Sequence, residues 1–155
     1  MLPSFVAAAL LLSGGAPAEA SSPRAAWEAW PARRFVRTAA PCLRSAELQE
    51  LLHALAARHP GRLRLDEVGR SVEGRPLQLL TLGEGPRRVL LWSQMHGDEP
   101  SATPALLDVV DTLLEADPDG VLERLTLLIV PMLNPDGAER YQRRNAQGID
   151  VNRDA

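Results

Sequence analysis

Apolar residues recur at helical spacing in two stretches of the chain. The first stretch begins near Ser45, which is suited to the N-cap position, and runs to His59-Pro60-Gly61, a sequence that stops helices. Its apolar positions are Leu48, Leu51, Leu52 and Leu55. The second stretch runs from Thr103 to Glu115 and carries a wide apolar face. Both stretches are therefore predicted to be amphipathic helices.

Four shorter apolar stretches predict β-strands. Leu63 to Val68 and Leu77 to Leu82 are joined by a connection too short for a crossover helix, so we expect an antiparallel pair. Val89 to Trp92 and Leu125 to Val130 flank the second helix, and such a β-α-β unit requires parallel strands. The first of these two is predicted to be a short buried strand, and the second a strand covered on both faces. The pattern as a whole predicts an α/β fold.

A histidine and a glutamate follow the strand that ends at Trp92. His96 and Glu99 lie between this strand and the second helix, at the edge where open α/β sheets bind ligands. Imidazole and carboxylate groups are both good zinc ligands, and residues three apart at the start of a helix can converge on one point. Gly97 lets the backbone turn tightly between them. The pair is a candidate metal site, and a polar surface loop is the alternative.

A second polar region follows the strand that ends at Val130. It contains Arg143, Arg144, Asn152 and Arg153. A guanidinium group beside an amide suits a carboxylate, because its planar fork donates two parallel hydrogen bonds. The alternative interpretation is a solvated basic loop.

Length, composition and charge indicate a single globular domain. The chain has 155 residues, 45% apolar content and a formal net charge of -3, which allows one globular core and does not indicate nucleic acid binding. Cys42 is the single cysteine, so no disulfide can form within the chain. His53 and His59 are predicted to lie on the solvated side of the first helix and not to bind metal.

The amino terminus has the pattern of a signal peptide. Phe5 to Leu12 is an apolar block too short to span a bilayer, and Ala18-Glu-Ala20 has the small-x-small pattern of a cleavage site. We expect residues 1–20 to be removed and the protein to be secreted or periplasmic, without a stable membrane anchor. A buried first helix is the alternative. Residues 21–44, rich in Ala, Arg and Pro, are predicted to be a linker or irregular lead-in.

Three motifs, in this order, resemble those of a known family. They are His96-Gly-Asp-Glu99, Asn134-Pro-Asp-Gly137 and Asn145-Ala-Gln-Gly-Ile-Asp-Val-Asn-Arg153. Together they are similar to the zinc carboxypeptidases, the carboxypeptidase A-like metallopeptidases. Gly69-Arg-Ser-Val-Glu-Gly-Arg75 also resembles the early hairpin of that family. The resemblance covers residues 45–155 and implies a mixed, mainly parallel sheet with helices on both faces, truncated after its first half.

The resemblance implies a role for each matching residue. His96 and Glu99 would be two of the three protein ligands of one Zn²⁺ ion. Arg143 would be the catalytic arginine that stabilises the oxyanion, with Arg144 as the alternative. The pair Asn152 and Arg153 would bind the terminal carboxylate of a peptide or cell-wall peptide. The implied activity is that of a metallocarboxypeptidase, which removes carboxy-terminal residues with a metal-activated water. The motif Asn134 to Gly137 would be a turn that shapes the rim, without a chemical role.

The chain departs from the family pattern in two ways. The family takes its third zinc ligand and its general-base glutamate from positions beyond the Asn-Arg pair, and this sequence ends at Ala155. We therefore expect an amino-terminal fragment that lacks the carboxy-terminal half of its domain, binds zinc weakly and is inactive alone. Such a fragment would expose apolar surface on its sheet. In addition, Asp154 follows Arg153, where many members have Asn.

Two other functions fit part of the pattern. A zinc-dependent deacylase of N-acyl amino acids, of the aspartoacylase and succinylglutamate desuccinylase group, shares His-Gly-x-Glu and an Asn-Arg pair. Asn134 to Gly137, Asn145 to Gly148 and the export signal favour the peptidase. The other function is a non-catalytic module that binds peptide carboxylates through Arg143, Asn152 and Arg153.

Overall fold

The computed structural model describes residues 24, 28, 35–36, 42–117 and 120–153. The predicted signal peptide, most of the lead-in and Asp154 lie outside these residues. The described elements are α1 (Ser45–Arg58), β1 (Leu63–Arg70), β2 (Pro76–Leu82), β3 (Arg87–Trp92), α2 (Ala102–Glu115), α3 (Val121–Arg124), β4 (Leu125–Val130) and α4 (Pro135–Arg140). The two predicted helices and four predicted strands are all present, and α3 and α4 are additional short helices.

The ends of α1 follow local hydrogen bonding. Its N-cap is Arg44, one residue before the predicted Ser45, and the carboxylate of Glu47 accepts a hydrogen bond of 2.8 Å from the backbone N–H of Arg44. The helix ends where the backbone N–H of His59 donates to the carbonyl of Leu55, just before the predicted Pro60-Gly61 stop. A difference of one residue is within the ordinary variation of helix ends.

The four strands form one mixed sheet in the order β1-β2-β4-β3. β1 pairs antiparallel with β2, β2 pairs antiparallel with β4, and β3 pairs parallel with β4. The predicted hairpin and β-α-β unit are therefore both present. The predominance of parallel strands expected from the family is not a feature of this part of the sheet, because the first hairpin supplies two of the four strands.

One face of the sheet carries the described core. Strand residues that point to this side pack with the apolar faces of α1 and α2. They include Leu80, Leu82, Leu127 and Ile129 from the sheet, and Leu52, Leu55, Leu107 and Val110 from the helices. Both long helices thus pack on the same face within the described residues, whereas the prediction placed helices on both.

The opposite face is partly open. Leu90 and Trp92 of β3 are 55% and 51% exposed, and their neighbours Leu128 and Val130 on β4 are half-buried. The prediction of a buried third strand is wrong for this face, because β3 is the edge of the described sheet and only its other face meets the helices. The exposed apolar residues agree with the expectation of uncovered sheet surface.

His59 corrects another sequence prediction. It is only 7% exposed, and its Nε2 lies 2.9 Å from Oδ1 of Asp111 on α2. Arg58 contacts the other carboxylate oxygen of Asp111 at 3.2 Å. The solvated position predicted for His59 is wrong because the end of α1 packs on α2, which periodicity within α1 cannot reveal. His53 is exposed, as predicted.

Among the residues that the structure describes, no helix combines the length and the apolar character needed to span a bilayer.

Candidate active site

The segments that follow β3 and β4 continue side by side beyond the sheet. The backbone N–H of Ser93 donates to the carbonyl of Val130 at 3.1 Å. Farther along, Leu133 donates to the carbonyl of Ser93 at 3.0 Å and Asn134 donates to the carbonyl of Gln94 at 3.1 Å. Because parallel strands end at the same edge, these bonds bring the His96 loop next to α4.

Gln94 organises the loop that carries His96. It is buried and has a φ of 47°, which is uncommon for a residue with a side chain. Its Nε2 donates to the carbonyl of Gly97 at 3.2 Å, and its Oε1 accepts from the hydroxyl of Thr103 at 2.9 Å. The amide therefore ties the loop to the first turn of α2. The sequence does not single out this residue, since a single glutamine after a strand carries no distinctive signal.

Two glycines let this loop lie directly on α4. A Cβ atom at Gly97 would overlap the backbone of Gly137 and Ala138. The space for a Cβ atom at Gly137 is taken in turn by Asn134 and by the carbonyls of Gln142 and Arg144. The motif Asn134 to Gly137 is thus the start of a helix, not the predicted turn: Oδ1 of Asn134 accepts from the N–H of Gly137 at 2.9 Å.

His96 and Glu99 meet at the edge of this loop. Nδ1 of His96 lies 3.1 Å from Oε1 of Glu99. His96 is 6% exposed, whereas the side chain of Glu99 is mostly exposed. An imidazole nitrogen and a carboxylate oxygen converging from positions three apart make a donor pair suited to a divalent cation.

Asp150 holds the other side of the imidazole ring. Its Oδ1 lies 3.1 Å from Nε2 of His96. The carboxylate of Asp150 only accepts hydrogen bonds, whereas the guanidinium of Arg143, 3.2 Å from Nδ1, only donates them. These two neighbours favour the tautomer with the hydrogen on Nε2 and the lone pair on Nδ1. A carboxylate behind a histidine in this way is the usual support of a metal-binding imidazole. Asp150 was not among the residues predicted for the site, although it lies in the third motif, two residues before Asn152.

The carboxyl of Asp150 also has a lowered pKa. Burial disfavours its charged form, but hydrogen bonds from Arg143, from the backbone N–H of Asn152 and from His96 outweigh burial and lower the pKa of its carboxyl to about 2. The carboxylate therefore stays charged at neutral pH, while it accepts from Nε of Arg143 at 2.9 Å and from the N–H of Asn152 at 3.1 Å.

Arg143 reaches the same two atoms that form the donor pair. Its Nη1 lies 3.2 Å from Nδ1 of His96 and 3.5 Å from Oε1 of Glu99. Nδ1 of His96 and the carboxylate of Glu99 thus both lie next to the guanidinium of Arg143. Arg144 points elsewhere and donates to the carbonyl of Gly148 at 2.7 Å. The structure brings Arg143 into the site and places Arg144 in the loop that follows it.

Asn152 and Arg153 lie in the exposed turn directly after Asp150. The backbone N–H of Arg153 donates to the carbonyl of Asp150 at 2.8 Å, and its Nη1 donates to the carbonyl of Asn152 at 3.2 Å. Both side chains are exposed to solvent next to the residue that supports His96. Their position is compatible with contact to a bound ligand.

The donor set for a metal is partial. Within the described ranges, no group of three or more His, Cys, Asp and Glu side chains is arranged to hold a metal ion. His96 and Glu99 supply two donors, whereas catalytic zinc sites have three protein ligands. The two donors fit zinc in chemical type.

Comparison with known proteins identifies the family. The family model described as zinc carboxypeptidase matches residues 48–154. The chain belongs to the zinc carboxypeptidase family. It is 33% identical over 150 residues to carboxypeptidase D of Anas platyrhynchos, with 68% of this chain and 11% of that protein covered. It is 33% identical over 102 residues to carboxypeptidase SOL1 of Arabidopsis thaliana, with 59% of this chain and 21% of that protein covered.

Solved structures of carboxypeptidases share the fold. A metallo-carboxypeptidase from Burkholderia cenocepacia superimposes with a TM-score of 0.62 and 31% identity, covering 70% of this chain and 31% of that one. The metallo-carboxypeptidase of Pseudomonas aeruginosa in complex with (2-guanidinoethylmercapto)succinic acid superimposes with a TM-score of 0.54 and 30% identity, covering 68% and 30%. The predicted family and the mixed α/β class are confirmed. This zinc carboxypeptidase chain spans less than a third of the length of each of these four relatives.

Proposed function

We propose that the full-length protein is a zinc-dependent metallocarboxypeptidase that removes residues from the carboxyl ends of peptides. Membership of the zinc carboxypeptidase family supports the hydrolase class. The observation that carries the proposal is the convergence of His96 Nδ1 and Glu99 Oε1, 3.1 Å apart, with the guanidinium of Arg143 beside both.

His96 and Glu99 are the two residues of this chain that would hold the zinc ion. A zinc ion there would act as a Lewis acid that activates a water molecule and polarises the carbonyl of the scissile bond. A third protein ligand and a general base are also required. Because the chain spans less than a third of the relatives compared, we propose that other parts of the full-length protein supply them.

Asp150 orients His96 for this task. By accepting a hydrogen bond from Nε2, it holds the ring with Nδ1 on the side of Glu99 and Arg143. The same carboxylate holds Nε of Arg143, which leaves the Nη end of that guanidinium pointing into the site. One ionised side chain thus sets the direction of two functional groups.

Arg143 is the group that stabilises negative charge on the substrate. A fixed cation beside the carbonyl oxygen of the scissile bond stabilises the charge that develops there, which in comparable sites contributes roughly 3–4 kcal/mol. Its ion pair with Asp150 fixes the guanidinium before the substrate binds.

Asn152 and Arg153 bind the terminal carboxylate of the substrate. The planar guanidinium of an arginine beside an amide can donate hydrogen bonds to both oxygens of a carboxylate. The side chains of Asn152 and Arg153 are exposed in the turn that directly follows Asp150. Recognition of a free terminus restricts cleavage to the last peptide bond. We further propose that the protein is secreted or periplasmic and acts on peptides or cell-wall peptides, as the signal-like residues 1–20 suggest.

Zinc content and substrate choice in the full-length protein test the proposal. We expect one zinc ion per molecule, lost in the double variant His96→Ala/Glu99→Ala and retained in the matched control His53→Ala, since His53 lies on the exposed face of α1. The protein should cleave a peptide with a free carboxyl terminus much faster than the same peptide with an amidated terminus.

Three outcomes contradict the proposal. Stoichiometric zinc in the double variant would exclude His96 and Glu99 as ligands. Equal cleavage of the amidated peptide would exclude recognition of the terminus. Turnover of an N-acyl amino acid without turnover of the peptide would indicate a deacylase.

A further inference from the structure

A buried carboxylate on α4 contacts the turn between β1 and β2. Asp136 is 1% exposed. Its Oδ1 accepts from the hydroxyl of Ser71 at 2.7 Å and from Nη1 of Arg75 at 2.6 Å, and its Oδ2 accepts from the backbone N–H of Glu73 at 3.2 Å. A buried charge needs this many donors, because an unpaired one would be strongly destabilising. The carboxylate thus fastens α4 to the hairpin.

Further ion pairs surround this contact. Nη1 of Arg75 also contacts Oε2 of Glu73 at 2.5 Å, and Arg140 on α4 pairs with the other oxygen of Glu73. We call these five residues the hairpin clamp. They are Ser71, Glu73, Arg75, Asp136 and Arg140. The clamp joins elements that are far apart in sequence, and none of its residues belongs to the proposed metal or substrate site.

The same short helix contacts both halves of the candidate active site. On one side, the backbone of Gly137 lies against Gly97, the residue after His96, so closely that no Cβ atom fits between them. On the other side, Nδ2 of Asn134 donates to the carbonyl of Arg143 at 3.3 Å, and the N–H of Gln142 donates to the carbonyl of Gly137 at 2.9 Å. A shift of α4 therefore moves the His96 loop and the Arg143 segment.

We propose that Asp136 is a positioning residue, which acts through the hairpin clamp to hold α4 where it sets the position of His96 relative to Arg143. α4 has only six residues, too few to be stable by itself in water. Its position depends on tertiary contacts, and the contact of Asp136 with the β1–β2 hairpin is buried, whereas the Arg140–Glu73 ion pair to the same hairpin is partly exposed. The roles of His96 and Arg143 in this inference rest on the proposed function.

Positioning by the hairpin clamp differs from a simple contribution to stability in what its loss changes. Loss of a purely structural clamp would lower the melting temperature and leave the site of the folded molecules unchanged. Loss of a positioning clamp would change the site in molecules that are still folded. Zinc affinity and the ring nitrogen signals of His96 therefore discriminate between the two, because in a variant that remains fully folded neither changes unless the site itself changes.

The test compares Arg75→Gln with Arg64→Gln in the full-length protein. Arg75 contacts Asp136, whereas Arg64 forms an exposed ion pair of 2.8 Å with Asp66 on the same hairpin. Zinc affinity is measured with Zn²⁺ alone by competition with a chelator. We expect Arg75→Gln to weaken zinc binding roughly 10- to 100-fold, as loss of groups that orient ligands does, and Arg64→Gln to leave it unchanged. Arg75→Lys, which keeps a positive charge, should restore part of the affinity.

A second measurement does not require zinc. In metal-free protein, the ¹⁵N signals of the His96 ring report which ring nitrogen carries the hydrogen. We expect them to shift in Arg75→Gln and to be unchanged in Arg64→Gln. If Arg75→Gln does not fold, Ser71→Ala is measured in the same way, since it removes the hydrogen bond to Asp136 and the one that Ser71 Oγ accepts from the backbone N–H of Arg75.

The outcomes separate the two proposals. If the parent protein binds no zinc, the proposed metal site fails, and the His96 signals alone decide the role of the clamp. If Arg75→Gln, or Ser71→Ala in its place, leaves both zinc affinity and the His96 signals unchanged, Asp136 has no positioning role. A lower melting temperature with an unchanged site would also overturn the inference.

Discussion

At the scale of single residues, the two nitrogens of His96 have different surroundings. Nδ1 faces Glu99 and Arg143, and Nε2 faces Asp150. This asymmetry, more than the presence of a histidine, makes the ring a suitable ligand, because a free imidazole exchanges its tautomers and turns its lone pair away. The loop that carries it is held at Gly97, where backbone packs on backbone.

Gly97→Ala tests that packing. Its Cβ atom would overlap the backbone of Gly137 and Ala138, which cannot move aside as a flexible side chain could. We expect the free energy of unfolding to fall by about 1–3 kcal/mol, a typical overpacking effect, when measured by urea denaturation. In the control Gly69→Ala, the nearest atom is Cδ1 of Leu77 at 3.8 Å, so a change within about 0.5 kcal/mol is expected. Equal effects of the two substitutions would argue against a tight backbone contact.

At the scale of elements, α4 connects the first hairpin to the site through an ionised carboxylate. Burial disfavours the charge of Asp136, but hydrogen bonds from Ser71, Arg75 and the N–H of Glu73 outweigh it and lower the pKa of its carboxyl below the usual 3.8. In the unfolded chain the same carboxyl binds a proton at higher pH. The contact therefore stabilises the fold above the unfolded pKa, and this contribution is lost as the pH falls.

Asp136→Asn makes this dependence measurable. The substitution removes the charge, so the difference in unfolding free energy between the parent and the variant should be constant from about pH 5 to pH 7 and should shrink as the pH falls below about 4. Urea denaturation across this range provides the measurement. As a matched control, Asp66→Asn affects an exposed ion pair and should show only a small difference at every pH. A difference that stays constant down to about pH 3 would contradict the assigned direction of the shift.

At the scale of the whole molecule, the described sheet has one covered face and one partly open face. Leu90 and Trp92 lie on the open face of β3, whose pairing within the described part of the chain is with β4 alone. An edge strand with exposed apolar side chains is prone to association. The 155-residue chain should therefore self-associate through this face when it is expressed as it stands.

The double variant Leu90→Thr/Trp92→Thr tests this expectation. Threonine keeps the preference for β-structure and removes the apolar surface, so light scattering after gel filtration should show a smaller average mass than for the parent chain. Val109→Thr is the control, because Val109 is also exposed but lies on α2. An unchanged mass in the double variant, or an equal decrease in the control, would exclude this face as the site of association.

The sequence by itself determined the elements and the family. Periodicities of two and of 3.6 residues located four strands and two helices, because a side chain that repeats on one side of an element must meet the core or the solvent. The order of three motifs led to the zinc carboxypeptidase family, which the family comparison confirms. The roles assigned to His96, Glu99, Arg143, Asn152 and Arg153 stay predictions.

Only the tertiary structure decided which side chains meet across the chain. It turned Arg143 toward His96 and Arg144 toward Gly148, placed Asp150 behind His96, and buried Asp136 under the hairpin. It also buried His59 against Asp111, contrary to the periodicity of α1. Local patterns encode which face of an element is apolar, whereas the partner of a polar side chain depends on residues tens of positions away. That choice is made only when the elements pack.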